Sequence, residues 1–326
     1  EDDMQRRRFM AASLGTMVLG PASGAAHLPV HSGAALAFGT TVSVSVRHAD
    51  AQVARLAIAD ALAAARQVDR LMSIYHPASE VFRLNRDGFL ARPDPHLLAV
   101  LGHARALSQL TGGAFDITVQ PLWQASQRAL KVGMLASSGE RSQARALLGW
   151  NLVDVARERV VLRKPGMRIT LNGLAQGYAA DLALRAVRAR GVVHALLDTG
   201  EFAASGDADG RAWQLGVPDP RNPGNMAAAV RVDGRCVATS GDYETTFSPD
   251  HLHHHIFDPA TGDSPPELAS VTVLAPSGIE ADGLSTAFMV LGSRGAHALA
   301  ARLPGVDLLT IDKQGRARRS PGLPAA

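Results

Sequence analysis

The order of predicted elements places this chain in the α+β class, with mixed sheets and packed helices in one compact domain. Strand-type and helix-type segments mix without strict βαβ alternation, which argues against a doubly wound sheet. No internal repeat or low-complexity linker divides the chain. At 326 residues and 46% apolar content there is ample core for a single large domain. A formal charge of +3 is too small and too scattered for a nucleic-acid surface. The one cysteine, Cys236, excludes an internal disulfide and any metal site built on cysteines.

Residues 1–26 read as a targeting segment ahead of a domain spanning 27–326. Arg6-Arg7-Arg8-Phe9-Met10 is followed by an apolar run from Ala11 to Leu19 and then by small residues, Pro21 to Ala26. The arginine pair before Phe9 has the form of a twin-arginine signal, which predicts export to the periplasm. The apolar run is shorter than the ~20 residues of a membrane-spanning helix.

Along the domain, Thr40 to Val46 alternates hydroxyl residues with valine and predicts a half-buried strand. Ala51 to Met72 has helical spacing behind Asp50 as N-cap, and Pro77 ends the segment beyond it. Pro95 to Leu110 predicts a second helix, closed by Thr111-Gly112-Gly113. Asn151 to Leu171 reads as three short strands, and Leu174 to Arg190 as a helix entered through Asn172-Gly173. Strands follow at Val193–Asp198, Trp213–Val217, Ala228–Val232 and Cys236–Thr239, with Asp233-Gly234 a hairpin signal. The last block predicts a strand (Ser270–Leu274), a helix carrying Asp282, a further helix (Arg294–Leu303) and a closing strand (Val306–Ile311).

The most informative stretch is Glu280 to Met289. Asp282 and Thr286 are four residues apart and share one helix face. A carboxylate beside a hydroxyl offers two hard oxygens, the donor type that suits Mg²⁺ or Ca²⁺. The plainer account is that Asp282 caps its helix and Thr286 bonds locally to backbone.

Four stretches, taken together, resemble the FAD:protein FMN transferase family, the ApbE-like proteins. They are Met72-Ser73-Ile74-Tyr75-His76-Pro77-Ala78-Ser79-Glu80; Gly113-Ala114-Phe115-Asp116-Ile117-Thr118-Val119; Leu171-Asn172-Gly173-Leu174-Ala175-Gln176-Gly177-Tyr178-Ala179-Ala180-Asp181; and Ala238-Thr239-Ser240-Gly241-Asp242-Tyr243, leading to His255-Ile256-Phe257-Asp258-Pro259-Ala260-Thr261-Gly262 and the Asp282 helix. The resemblance implies an ApbE-like catalytic domain that splits FAD and joins FMN to a Thr or Ser of a partner, releasing AMP. It implies Mg²⁺ held by Asp282, Thr286 and the Ala175 carbonyl. It also implies a flavin nucleotide lined by Phe38, Tyr75, Ala114, Phe115, Asp116, Asn172, Gln176, Tyr178, His255 and Ile256. The expected partner is a membrane-anchored, flavin-accepting redox protein, with the flavoprotein serving nitrous oxide reductase as a subgroup expectation.

For several of these residues a plainer role competes. Phe115 suits core packing, Tyr75 a half-buried surface, and the Asn172–Tyr178 turn an ordinary helix start, although helix N-termini also attract phosphate. His255 can act as general base, bind nucleotide or simply pack. Thr170, Asn172 and Gln176 depart from the acidic residue, Gly and Lys usual in the family. Leu197-Asp198-Thr199-Gly200-Glu201-Phe202 departs from its Asn-x-Gly-Gly-Asp. Loss of the lysine removes a point charge from the phosphate region. The readings in competition are FAD hydrolysis, a non-catalytic FAD carrier or assembly factor for a periplasmic redox system, and a metallochaperone using His251, His253, His254 and His255.

Overall fold

In this computed structural model the described residues are 27–222 and 224–325, so the export signal expected over 1–26 lies outside them. One antiparallel sheet of eight strands runs in the order β1 (Val30–Ala37), β2 (Thr40–Arg47), β6 (His194–Asp198), β7 (Phe202–Ser205), β10 (Cys236–Gly241), β11 (Leu268–Ala275), β12 (Asp307–Asp312) and β13 (Ala317–Arg319). Three long helices pack on one face: α1 (Ala51–Met72), α6 (Asn172–Ala189) and α7 (Gly278–Ala300), with α6 between the other two.

The opposite face carries a hairpin of β8 (Trp213–Pro218) and β9 (Met226–Val232). Alternate residues of the central strands divide between the two faces. Val237, Leu274 and Leu309 pack with Trp213, Leu215 and Val230, while Ala238, Val273 and Leu308 join the helix-side core. This explains why β11 is buried along its whole length, a pattern usual for strands covered on both sides. A three-stranded sheet of β3 (Phe89–Ala91), β5 (Arg159–Leu162) and β4 (Val153–Ala156) sits with α2 (Glu80–Asp87) and α3 (Pro95–Leu110). A side lobe of α4 (Gln120–Lys131) and α5 (Ser138–Arg145) packs Leu122, Ala125 and Ala144 around Phe247 and Phe257. Among the described residues no helix is long and apolar enough to cross a membrane.

Local chemistry sets the helix limits. Asp50 accepts the Gln52 and Val53 N–H groups at the head of α1, and Asp94 accepts that of His96 ahead of α3, which opens with Pro95. Both helices match their predicted limits. Three expectations differ. The third strand before Leu171 is absent: Ile169 instead exchanges hydrogen bonds with the Asn85 side chain, and Thr170 donates to the Ile117 carbonyl. Asp233-Gly234 makes no hairpin, because β9 pairs with β8 whereas β10 pairs with β7 and β11. The two helices expected at the end are one, α7, kinked at Gly292 with φ of 69°.

Helices α6 and α7 cross at two glycines. A Cβ on Gly177 would lie 2.1 Å from the Gly278 carbonyl oxygen, and one on Gly278 would lie 2.3 Å from that of Gly177. Only backbone without side chains fits there. Gly177→Ala should therefore lose about 1–3 kcal/mol or more in thermal or denaturant unfolding, the usual cost of overpacking. Gly102→Ala, in α3 with nothing within 4 Å of the added carbon, should gain about 0.5–1 kcal/mol through helix propensity. Equal effects of the two changes would refute the tight crossing.

Candidate active site

The crossing brings two carboxylates into an exchange between helices. Asp181 of α6 accepts the Gly278 and Ile279 N–H groups at the head of α7, at 2.7 and 3.1 Å. In return Asp282 of α7 accepts the Gly177 N–H of α6 through Oδ2, at 2.9 Å. Ser277 is the N-cap of α7, so Asp282 does not cap its own helix. Burial pushes the Asp282 carboxyl up to about 7, against the Gly177 N–H, which favours the charged form.

Thr286 follows one turn later and faces the opening of α6. A Cβ at Gly173 would lie 2.9 Å from Thr286 Oγ1 and 3.5 Å from Phe115 Cε2. Gly173 itself departs from helical angles (φ −87°, ψ 22°), and no side chain caps the helix at Leu171. The missing side chain leaves a cradle between the first turn of α6, the Thr286 hydroxyl and the Phe115 ring. Ala175 sits buried in that turn, between Gly173 and the Gly177 N–H that holds Asp282. Among the described residues no group of three or more His, Cys, Asp or Glu side chains is placed to hold a metal. A cation in the cradle would therefore rely on one carboxylate, a hydroxyl and a main-chain carbonyl. Those are hard oxygens, and the donor set fits Mg²⁺ with positions left for phosphate oxygen and water.

The cradle lies at one end of the large sheet. Register puts Ser43 opposite Asp198 and Gly241 opposite Ser270, so the β1–β2 turn, the β6–β7 loop and the end of β10 share that edge. Phe38 occupies the β1–β2 turn with φ of 55°, beside Gly39 at 74°. An aromatic residue in the left-handed region is uncommon and is held there by the two-residue hairpin. In the β6–β7 loop, Gln176 Nε2 donates to the Thr199 carbonyl and Thr199 Oγ1 donates to the Gln176 carbonyl, both at 2.9 Å. Gly200, at φ of 96°, could bear no side chain: its Cβ would lie 1.8 Å from Gln176 Nε2.

Glu201 comes next, buried, with the Thr239 N–H 3.2 Å from Oε2. Burial, and then the charge of Asp282, hold its carboxyl well above the usual range. Asp198 is pushed up to about 6 by burial.

The remaining expected residues divide. Ala114 is half-buried in the loop that delivers Phe115. Asn172 is exposed at the head of α6. Tyr75 is 68% exposed after α1. Asp116 has both oxygens engaged, Oδ1 by the Thr118 N–H and hydroxyl at 2.7 and 2.6 Å and Oδ2 by the Trp150 N–H at 3.1 Å, so it pins the loop. The Tyr178 hydroxyl is 2.8 Å from His96 Nδ1 on α3. Ile256 is part of the main core. His255 Nδ1 lies 3.3 Å from the Thr245 carbonyl and donates to it, which leaves Nε2 as the acceptor; burial pushes the imidazole down to about 4.

The histidine run does not act as a unit: His254 is buried with Nε2 donating to Pro265, at 3.2 Å, while His253 lines a recess beside Phe247 and Phe257. The sequence marked Glu201 only as a departure and Ser240 only within a motif, and gave no site role to either, although the Ser240 hydroxyl reaches Thr286. Glycines four apart at 173 and 177 were the available signal for the crossing.

Residues 38–310 match the ApbE family. The FAD:protein FMN transferase of Treponema pallidum (strain Nichols) is 31% identical over 94% of this chain and 91% of its own length. That of Klebsiella pneumoniae (strain 342) is 31% identical, over 94% and 93%. Among solved structures, the ApbE protein of Thermotoga maritima superposes with a TM-score of 0.81 at 28% identity, covering 90% of this chain and 97% of that one. The apo form of the Pseudomonas stutzeri flavinyl transferase ApbE gives 0.77 at 29%, covering 90% and 96%.

The buried carboxylates set a pH signature. Because the folded-state value of Glu201 is raised, its contribution to stability is present at low pH and is lost as pH climbs past the unfolded value. In metal-free protein, Glu201→Gln should therefore gain on wild type between pH 5 and pH 8, by at least about 2 °C in Tm. Effects of the depressed histidines are common to both proteins and cancel in the difference. An equal Tm difference at both pH values would rule out a raised Glu201.

Proposed function

The chain belongs to the ApbE family, and from that membership we propose that it is an Mg²⁺-dependent FAD:protein FMN transferase. FAD is split at its diphosphate, FMN is joined to a Thr or Ser hydroxyl of an acceptor protein, and AMP leaves. The observation that carries this reading is the cradle: Asp282 tied to Gly177, with Thr286 beside the side-chain-free Gly173. Asp282, Thr286 and the Ala175 carbonyl would hold Mg²⁺, which when bound offsets the negative charge of the diphosphate.

The chain's own groups supply the rest. The Asn172 N–H at the start of α6 is taken by the Thr170 hydroxyl and the Leu174 N–H by the Leu171 carbonyl, so the attraction for phosphate would come from the positive end of the helix dipole. Phe115 walls the cradle beside Gly173. In the bond-making step the acceptor oxygen adds to the FMN-side phosphorus, the bridging P–O bond breaks, and the electron pair leaves with AMP. The hydroxyl proton goes to Nε2 of His255, which is neutral above about pH 4 and fixed in the right tautomer by Thr245. Glu244, next to Thr245, lies within electrostatic reach of Glu201, which in turn faces Asp282; this adjacency supports the assignment. The acceptor is proposed to be a membrane-anchored redox protein met after export of this chain to the periplasm.

Incubation with FAD, Mg²⁺ and an acceptor fragment, followed by intact mass spectrometry, should reveal the added mass of FMN on the acceptor and AMP in solution. Asp282→Ala should remove both products. His255→Asn should slow turnover by roughly 10²-fold or more while FAD still binds. Stable FAD with no AMP in wild type would favour the carrier reading. Unimpaired turnover in Asp282→Ala would eliminate the assignment of the cradle.

A further inference from the structure

Three hydroxyls behind the cradle form a chain whose direction is fixed. Ser285, fully buried on α7, has Oγ 2.8 Å from the Asp282 carbonyl oxygen. A carbonyl only accepts, so the single Ser285 proton is committed there. Ser240 Oγ, near the end of β10, lies 2.7 Å from Ser285 Oγ. With the Ser285 proton spent, Ser240 must be the donor in that bond. Ser240 Oγ also lies 3.3 Å from Thr286 Oγ1. Its own proton being spent in turn, it can only accept from Thr286.

The proton order is therefore Thr286 to Ser240 to Ser285 to the Asp282 carbonyl. We propose that Ser240 is a positioning residue: by accepting the Thr286 proton it turns the lone pairs of Thr286 Oγ1 toward the side open at Gly173. Without Ser240 that hydroxyl is free to rotate and to bond to its own helix, as threonines in helices commonly do. An outer partner of this kind orients a ligand without touching the cation. The inference rests on the reading of the cradle as a divalent-cation site, and the test separates the two.

The experiment titrates the metal-free full chain with Mn²⁺ alone, followed by electron paramagnetic resonance, for wild type, Asp282→Ala, Ser240→Ala and Ser240→Thr. Binding should be lost in Asp282→Ala, weakened about tenfold in Ser240→Ala and within about twofold of wild type in Ser240→Thr, the scale seen for outer partners of metal ligands. In turnover the Ser240→Ala defect should appear in the KM for Mg²⁺ rather than in kcat. Wild-type Mn²⁺ affinity in Ser240→Ala, with binding still lost in Asp282→Ala, would overturn the role of Ser240 alone. Ser240→Thr as weak as Ser240→Ala would overturn it too, by making shape and not the hydroxyl the cause. Mn²⁺ binding that survives Asp282→Ala would overturn the cation reading and this inference with it.

Discussion

The close crossing of α6 and α7 at Gly177 and Gly278 is the constraint on which the site depends. Two backbones can touch there only because neither residue carries a side chain. Contact at that range lets each helix lend the other a carboxylate: Asp181 completes the head of α7, and Asp282 takes an N–H from α6. The first bond is ordinary helix capping carried out between helices, and it offsets unpaired N–H groups. The second costs stability, because it holds a carboxylate where water does not reach. A fold would not keep that group for its own sake, since an amide there would serve the N–H equally well. The proposed cation site would supply the reason, since a cation calls for a carboxylate and not an amide.

The two stretches that depart from the family pattern are one feature in space. Gln176 and Thr199 are 23 residues apart and exchange two hydrogen bonds, each giving one donor and one acceptor. Gly200 is required at that contact by its positive φ and by the Gln176 amide against it. An amide suits this arrangement because it neutralises a carbonyl without bringing a charge that would need a counterion. The departures thus change how the β6–β7 loop is anchored while leaving Asp282, Thr286 and Gly173 untouched.

How far the sequence foretold this architecture depends on where each signal resides. Asp50 and the Asp94-Pro95 pair are local capping signals, so α1 and α3 were legible to the residue. The Asp282–Thr286 pair was legible for the same reason, being a relation within one helix. Strand β1, Val-His-Ser-Gly-Ala-Ala-Leu-Ala, has weak β-propensity and was missed; it exists because β2 supplies eight paired positions. Helix α4 follows a 3-10 turn with no side-chain cap, so Pro121 in its first turn was the one local signal for it. Asp233-Gly234 is a bend whose flanking strands part to different sheets, a choice made by burial on two faces and invisible in a short window. Ala175 was available only through the family resemblance, since a main-chain carbonyl leaves no mark in sequence. Glu201 and Ser240 were hidden for a further reason: each meets the cradle across a strand edge, from a residue far away in the chain.

That division bears on which parts of the site tolerate change. Gly173 and Gly177 admit almost no substitution, because an added Cβ would meet Thr286 at the first and the Gly278 backbone at the second, whereas a main-chain carbonyl such as that of Ala175 is kept whatever side chain stands there. Groups that act through side chains have alternatives: a hydroxyl can be serine or threonine, and an anchoring donor can be amide or ammonium. The departures at Thr170 and Gln176 exchange one side chain for another, whereas Asn172 and the stretch 197–202 depart where the family pattern has glycine. Glu201 is the instructive extreme, a buried carboxyl within electrostatic reach of Asp282 that accepts the Thr239 N–H. Burial and the charge of Asp282 favour its neutral form, so in the metal-free protein it spares the cradle a second negative charge, and a divalent cation would draw the pair toward ionisation.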